Sequence, residues 1–329
     1  MQQFPTFTGI DISKLTLDIC LIHNNIKQHY KIDNTIASIK SFFSTLEPAN
    51  LHIGMENTGC YNYYLYEVLT EMGLAYYVIP PVHLKKSLGL SRGKNDKVDA
   101  VRIALFLEAN FNHMSAYKPQ RAAIIKLQLL LTARSQRIKI RKQIVNGKEQ
   151  YQYLPEAAEP FEQLDNELLT SLDQQIKAIE VKIQTLIDND PRMSACYKLI
   201  SSVQGVGKVL SWNLILRTGE FDNITDPRKL ACYAGIAPFE HSSGSSIRGK
   251  SRVSHYADKD LKKLLHLAAM SAIRLAGDLK DYYQRKVFEG KNKMLVLNAV
   301  RNKIIHRVYA VLKNQRPYQN YLPNHLVMS

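Results

Sequence analysis

Three runs rich in β-branched and aromatic residues crowd the start of the chain: Thr6 to Asp11, Leu15 to Ile22 and Ile26 to Ile32, with only a few residues between them. Gaps that short hold a turn but not the crossover a parallel neighbour needs, so the three strands form an antiparallel meander. A helical stretch follows from Ile36 to Leu46, with Asn34 or Thr35 as its cap. His52 to Glu56 is a short apolar strand that ends in a carboxylate and the turn Asn57-Thr58-Gly59. A helix from Tyr61 to Met72 stops at Gly73, and Ala75 to Ile79 is another strand, ended by Pro80-Pro81. Meander, helix and strand–helix–strand predict an α/β layer on a mixed sheet.

From residue 119 to 187 the pattern is almost wholly helical. Its first piece carries Arg134, Arg137, Lys139, Arg141, Lys142 and Lys148 with no acid between 134 and 148. Such a run is either a solvated face or a contact to nucleic-acid phosphates, and the missing acid favours the contact. In the second piece Leu169, Leu172, Ile176, Ile179, Ile183 and Leu186 alternate at spacings of three and four, the a/d seam of a coiled coil. That seam packs within one helical hairpin or across a dimer. Asp188-Asn189-Asp190-Pro191 ends the helix. A mainly helical domain follows, so the chain divides into 1–118, a helical coiled-coil connector over 119–190, and 191–329.

Charge narrows the partner. Lys and Arg number 44 against 29 Asp and Glu, a formal net charge of +15, which points to a polyanion and first to nucleic acid. No apolar run reaches the roughly 18 residues of a membrane span. The start, MQQFPTFTGID, has no basic stretch followed by an apolar one, so no secretory signal is expected. Cys20, Cys60, Cys196 and Cys232 are scattered, as expected of reduced thiols in a cytoplasmic protein without structural zinc.

Three groups of residues can carry chemistry. Asp11 and Glu56 end apolar strands, and Asp96 and Asp99 share one face of a helix that opens at Asn95. Carboxylates gathered at strand ends repel unless a cation sits among them, and Mg²⁺ is the common one. Two such ions about 4 Å apart clamp the attacking and leaving oxygens of a phosphodiester. The alternative is four unrelated surface acids.

The second group is Gly205-Val206-Gly207-Lys208 between two apolar helices. It reads as a helix–hairpin–helix whose glycines admit a phosphate to the second helix's N-terminus, or as a plain packing corner. It is not a P-loop, which needs Gly at Ser202 and Ser or Thr at Val209. The third is the run from His241 to Arg252, a mobile serine-rich loop in which Arg248, Lys250 and Arg252 can hold phosphates. A serine there becomes a nucleophile only if a base or metal activates it. His241, two residues from Ser243, is expected to point elsewhere if the loop is extended.

Gly9-Ile10-Asp11-Ile12-Ser13-Lys14, Met55-Glu56-Asn57-Thr58-Gly59, Lys94-Asn95-Asp96-Lys97-Val98-Asp99-Ala100, the Gly205/Gly207 pair, Ala234-Gly235-Ile236-Ala237-Pro238 and Ser243-Gly244-Ser245-Ser246-Ile247-Arg248-Gly249 occur in that order. Together they resemble the DEDD-type insertion-sequence transposases, the bridge-RNA-guided recombinases related to Piv-type DNA invertases. The resemblance runs from about residue 7 to residue 312. It implies a RuvC-like (RNase H-type) domain over 1–118 whose tetrad Asp11, Glu56, Asp96 and Asp99 binds Mg²⁺. It also implies a C-terminal transposase domain over 191–329 whose nucleophile stands just before the glycine of the Ser-Gly motif, here Ser243. That serine would form a phosphoserine link to DNA while a structured non-coding guide RNA pairs with donor and target DNA. A dimer or tetramer, nucleoid-associated, would join one subunit's acids to another's serine. His255-Tyr256-Ala257 stands where relatives often read Lys-x-Gly, which puts one local phosphate contact in doubt.

Two other enzyme classes share parts of this pattern. Gly-Ile-Asp-x-Ser-Lys also opens the actin-like sugar and acetate kinases, but their later Asp-x-Gly-Gly loop is missing and +15 would be unexplained. A RuvC-like Mg²⁺-dependent junction resolvase would use the four acids with water as nucleophile and no serine. A non-catalytic nucleic-acid-binding protein would need no four-carboxylate set.

Overall fold

The computed structural model describes residues 5–87, 96–237, 239–243, 247–252 and 257–319, with the backbone alone for 85–87 and for 239–252 where described. The chain divides into two compact units, Met1–Pro119 and Gln120–Ser329.

The first unit is built on a five-stranded mixed sheet. β1 (Thr6–Ile12), β2 (Thr16–His23) and β3 (Ile26–Asp33) form the expected antiparallel meander, and β4 (Leu51–Glu56) and β5 (Tyr76–Ile79) extend it in parallel. The strand order is β3-β2-β1-β4-β5. Asn24 (φ 48°) and Asn25 (φ 64°) make the two-residue turn between β2 and β3, where left-handed backbone suits Asn and matches the strands' twist.

Helices cover both faces. On one, α1 (Ile36–Ser44) and α2 (Tyr63–Glu71) enclose Ile10, Leu17, Ile19, Ile53 and Met55. Thr35 caps α1 through Ser38 N–H, while buried Asn34 donates its amide to the carbonyls of Ser13 and Tyr61. Pro81 ends β5 as expected but also opens α3 (Pro81–Ser87), since a first helical turn has no use for the missing N–H. On the other face α4 (Asp96–Asn110) packs Ala100, Ala104 and Leu107 against Phe7, Cys20 and Tyr77. Gly9 makes that approach possible: a Cβ there would lie 2.1 Å from the Ala100 carbonyl oxygen and 2.3 Å from Ala104 N.

The second unit is mainly helical. α5 (Ala122–Gly147) and α6 (Pro155–Asn189) precede α7 (Pro191–Ser201), α8 (Lys208–Thr218) and α9 (Pro227–Tyr233). A two-stranded hairpin of β6 (Phe239–Ser243) and β7 (Ile247–Arg252) leads to α10 (Lys259–Ala272), α11 (Asp278–Phe288) and α12 (Lys293–Asn314). Its core gathers Trp212, Ile200, Leu265, Val300 and Ile304.

α6 runs back along α5, and its seam serves that hairpin and the core below it. Ile183 and Ile187 are buried with Ile124, Leu127 and Leu131 of α5, and Ile179 and Leu186 pack beside them. The hairpin alternative thus accounts for the C-terminal half of the seam. α6 also supplies the acids that the run from 134 to 148 lacks.

Candidate active site

Strand alternation builds the acidic group. With a period of two, Phe7, Gly9 and Asp11 of β1 and Gly54 and Glu56 of β4 lie on the face that α4 covers. Asp11 and Glu56 stand near the C-terminal ends of adjacent parallel strands, and α4 begins with Asp96 and Asp99. Because Gly9 lets α4 lie close to β1, the helix's first turn comes within electrostatic reach of Asp11.

The titration of Asp11 records this crowding. Burial, followed by the charges of Asp96, Asp99, Glu56 and Asp18, raises its carboxyl from the ordinary 3.8 to about 6. Asp18, opposite Asp11 on β2, pairs with Lys31 at 3.2 Å. Asp99 accepts from Arg102 Nη1 at 2.7 Å. Four carboxylates offer only hard oxygen donors, which fit a divalent cation such as Mg²⁺. Among the described residues no three His, Cys, Asp or Glu side chains already surround a single ion position.

The sequence reading missed Asn62, which holds the turn after Glu56. Fully buried, it donates Nδ2–H to the Glu56 carbonyl at 2.9 Å and accepts from Thr58 N–H and Oγ1–H at 3.0 and 2.6 Å. Its one signal in the sequence is a lone amide among the tyrosines 61, 63 and 64.

The glycine pair has two separate uses. Gly205 (φ +89°) lies against α10, where a Cβ would come within 2.4 Å of the Ala268 carbonyl oxygen. That approach requires glycine without any phosphate. Gly207 caps α8, with open space where its Cβ would be. Lys208 donates to Glu180 at 2.9 Å and sits 5.7 Å from the centre of the Trp212 ring.

The basic run meets partners that lie far from it in sequence. Arg134 pairs with Glu180 at 2.7 Å and Arg141 with Asp173 at 2.7 Å, while Arg137 donates to Gln175 at 2.8 Å. These three arginines stitch α5 to α6. A run without acids in sequence is paired by acids from the returning helix. Lys139 and Lys142 remain exposed.

The segment from His241 to Arg252 was expected to be a loop, but its described residues form a hairpin. Ser242 pairs with Arg248 and Ser243 with Ile247, and Ser243 is the last residue of β6. Strand positions 241 and 243 are two apart on β6 and so fall on one face of the pleat, where the sequence predicts separation. Arg248, Lys250 and Arg252 stand along β7, where a register irregularity opposite Phe239–His241 breaks the simple alternation of faces. Gly244, Ser245 and Ser246 lie outside the described residues, as does His255-Tyr256.

The feet of this hairpin are well fixed. Asn298 of α12 donates Nδ2–H to the Ile236 carbonyl at 2.9 Å, and Asp258 N–H donates to the Tyr233 carbonyl at 2.8 Å. Gly235 (φ +65°) abuts Ala257, where a Cβ would come within 2.5 Å of the alanine's own. Asp258 caps α10 and also accepts from Arg217 Nε at 2.6 Å.

Two transposase family profiles match the chain. A DEDD-type IS110 profile, described as a transposase, covers residues 8–151, and the Transposase IS116/IS110/IS902 family covers residues 197–284. The pilin gene-inverting protein of Moraxella bovis is 26% identical over 326 residues, 95% of this chain and 97% of that protein. An uncharacterized 43.6 kDa protein of insertion element IS110 from Streptomyces coelicolor is 27% identical over 155 residues, 47% of this chain and 37% of that protein. Among solved structures, Thermus thermophilus RuvC bound to a Holliday junction substrate aligns over 34% of this chain and 99% of its own, with 13% identity and a TM-score of 0.29.

Proposed function

We propose, from its match to two transposase family profiles, that this chain is a DNA-rearranging enzyme of the IS116/IS110/IS902 kind and exchanges strands through a phosphoserine intermediate. Asp11, Glu56, Asp96 and Asp99 hold divalent metal, Mg²⁺ by donor type. The observation that carries this is the crowding of acids around Asp11: burial and the charges of Asp96, Asp99, Glu56 and Asp18 hold its carboxyl near 6. A bound divalent ion would stabilise negative charge on the phosphoryl oxygens, where phosphoryl transfer needs help.

Ser243 Oγ is the nucleophile, selected by its place before Gly244 in the family motif. Its bond to phosphorus forms as the bond to a deoxyribose oxygen breaks, and the leaving hydroxyl takes up a proton. The ester keeps the energy of the cut strand, so rejoining needs no nucleotide.

The remaining assignments follow the resemblance: Gly207 and Lys208, at the N-terminus of α8, as the phosphate side of a helix–hairpin–helix; a guide RNA that pairs with donor and target DNA; and a dimer or tetramer. Exposed Tyr153, Leu154, Phe161, Leu164 and Leu168 around the α5–α6 turn support an assembly through the coiled-coil arm.

The test is to trap the protein on a nicked substrate in Mg²⁺, digest it and locate the adduct by mass spectrometry. Ser243→Ala gives none, Ser245→Ala still gives one, and an adduct on another residue ends the assignment. Metal-dependent cleavage with no adduct would make the chain a resolvase-type nuclease. RNA that co-purifies above background supports the guide, and its absence counts against it.

A further inference from the structure

Arg301 of α12 is the one lysine or arginine among the described residues that is deeply buried, with 6% of its surface exposed. Its neighbours leave the charge unmatched. Nη2 meets His266 Nδ1 at 2.7 Å, Nη1 reaches Asn298 Oδ1 at 3.4 Å, and buried Nε has no partner. Other arginines of this unit are matched by acids: Arg217 by Asp258, Arg307 by Asp278 and Arg121 by Glu220 and Asp190.

His266 adds no negative charge. To accept from an arginine its Nδ1 must be bare, so the ring is neutral with its proton on Nε2. Burial, then the charge of Arg301, moves its pKa below the ordinary value, in agreement. A buried guanidinium facing a neutral ring and an amide is costly to maintain, and an anion resolves that cost.

Its place in the fold says which anion. Asn298, one helical turn before Arg301, holds the Ile236 carbonyl just ahead of β6. Lys262 lies one turn before His266 on α10, and its Nζ lies 3.9 Å from where a Cβ of Gly235 would be. Lys262 and Arg301 thus flank the foot of the hairpin whose first strand ends at Ser243.

We propose that Arg301 and Lys262 form an oxyanion site at the foot of the β6–β7 hairpin that takes one phosphodiester group of a nucleic-acid strand, with His266 aligning the guanidinium. The binding stands on this geometry alone, while its role in seating a strand for Ser243 rests on the function proposed above. Arginine suits the task because its planar fork grips two phosphoryl oxygens at once.

The experiment compares thermal unfolding of the full chain in inorganic phosphate and in chloride at matched ionic strength. Salt dependence of binding is measured beside it, on a DNA duplex and on an RNA hairpin of arbitrary sequence. Wild type should melt higher in phosphate. Arg301→Met should melt as high as wild type or higher in chloride, because it removes an unmatched buried charge, and should lose the phosphate gain. Lys262→Gln, on the more exposed side, should fold normally and keep only part of that gain. Arg301→Met should lower the salt slope by about one unit on whichever nucleic acid supplies the phosphate. No phosphate gain in wild type overturns the site. So does a lower melting point of Arg301→Met in chloride with the gain retained, which would make the arginine structural. A phosphate gain with both salt slopes unchanged overturns the nucleic-acid assignment. Should Arg301→Met not fold, an undiminished gain in Lys262→Gln decides against the site. Ser243→Ala should keep the whole phosphate gain, so a failed serine assignment and a failed phosphate site give different results.

Discussion

Gly9 and Asp11 stand two positions apart on β1, and the absent side chain of one sets the environment of the other. Gly9→Ala would place a methyl 2.1 Å from the Ala100 carbonyl, so α4 must shift, with a loss of about 1–3 kcal/mol in denaturant unfolding. Moving α4 also carries Asp96 and Asp99 away, so Asp11 in that variant should titrate closer to 3.8. Asp11 itself makes a signed prediction. Its folded pKa, about 6, lies above the ordinary 3.8, so its favourable contribution is complete below 3.8 and is lost as pH rises through 6. Asp11→Asn should therefore raise the metal-free unfolding stability at pH 7 but not at pH 3, by of order 1 kcal/mol once solvent screening of a partly buried group is allowed for. Mg²⁺ should stabilise wild type more than the variant, and equal stabilisation would remove the metal assignment. Asp11 and Glu56 were legible because each closes a run of apolar strand residues. Leu297, Arg301 and Ile305 follow one another at spacings of four within the apolar stripe of α12. The position of Arg301 in that stripe signals burial, which its charge alone does not.

At the scale of elements, local periodicity was enough for the meander, because turn length and alternation are properties of neighbouring residues. The α5–α6 pairing was not, because its cations and acids lie far apart in sequence. Glu180 joins the base of this arm, accepting from both Arg134 and Lys208. Burial works to raise its carboxyl, but the hydrogen bonds from Lys208 and Arg134 prevail and hold it below the ordinary range. Its contribution is present above pH 4.5 and is lost as pH falls through the lower folded value. Glu180→Gln should thus lower the melting temperature at pH 7, by of order 1 kcal/mol, and converge on wild type near pH 3. A constant difference across that range would show that packing, not charge, carries the effect. The hairpin from Phe239 to Arg252 escaped the reading for a different reason. Its Ser and Gly content has the composition of a loop, and its pairing depends on feet held by Asn298, Asp258 and Gly235.

At the scale of the whole molecule, a net charge of +15 becomes selective only where cations are left unmatched. Arg137 and Arg141 are engaged with α6, so replacing both should loosen the arm more than it flattens the salt dependence of DNA binding. The acids and Ser243 belong to different units, and the resemblance implies that a site takes its acids from one subunit and its serine from another. Mixing tests this directly. Asp11→Asn and Ser243→Ala chains are each expected to be inactive alone. If sites form between subunits, a randomly mixed dimer has both intact groups together in about a quarter of its sites, and strand exchange returns to that order. If each chain completes its own site, every site in the mixture lacks one group and exchange stays absent. Recovery that depends on exchange of subunits before DNA is added places the composite site in the assembled protein, and its absence assigns the whole reaction to single chains.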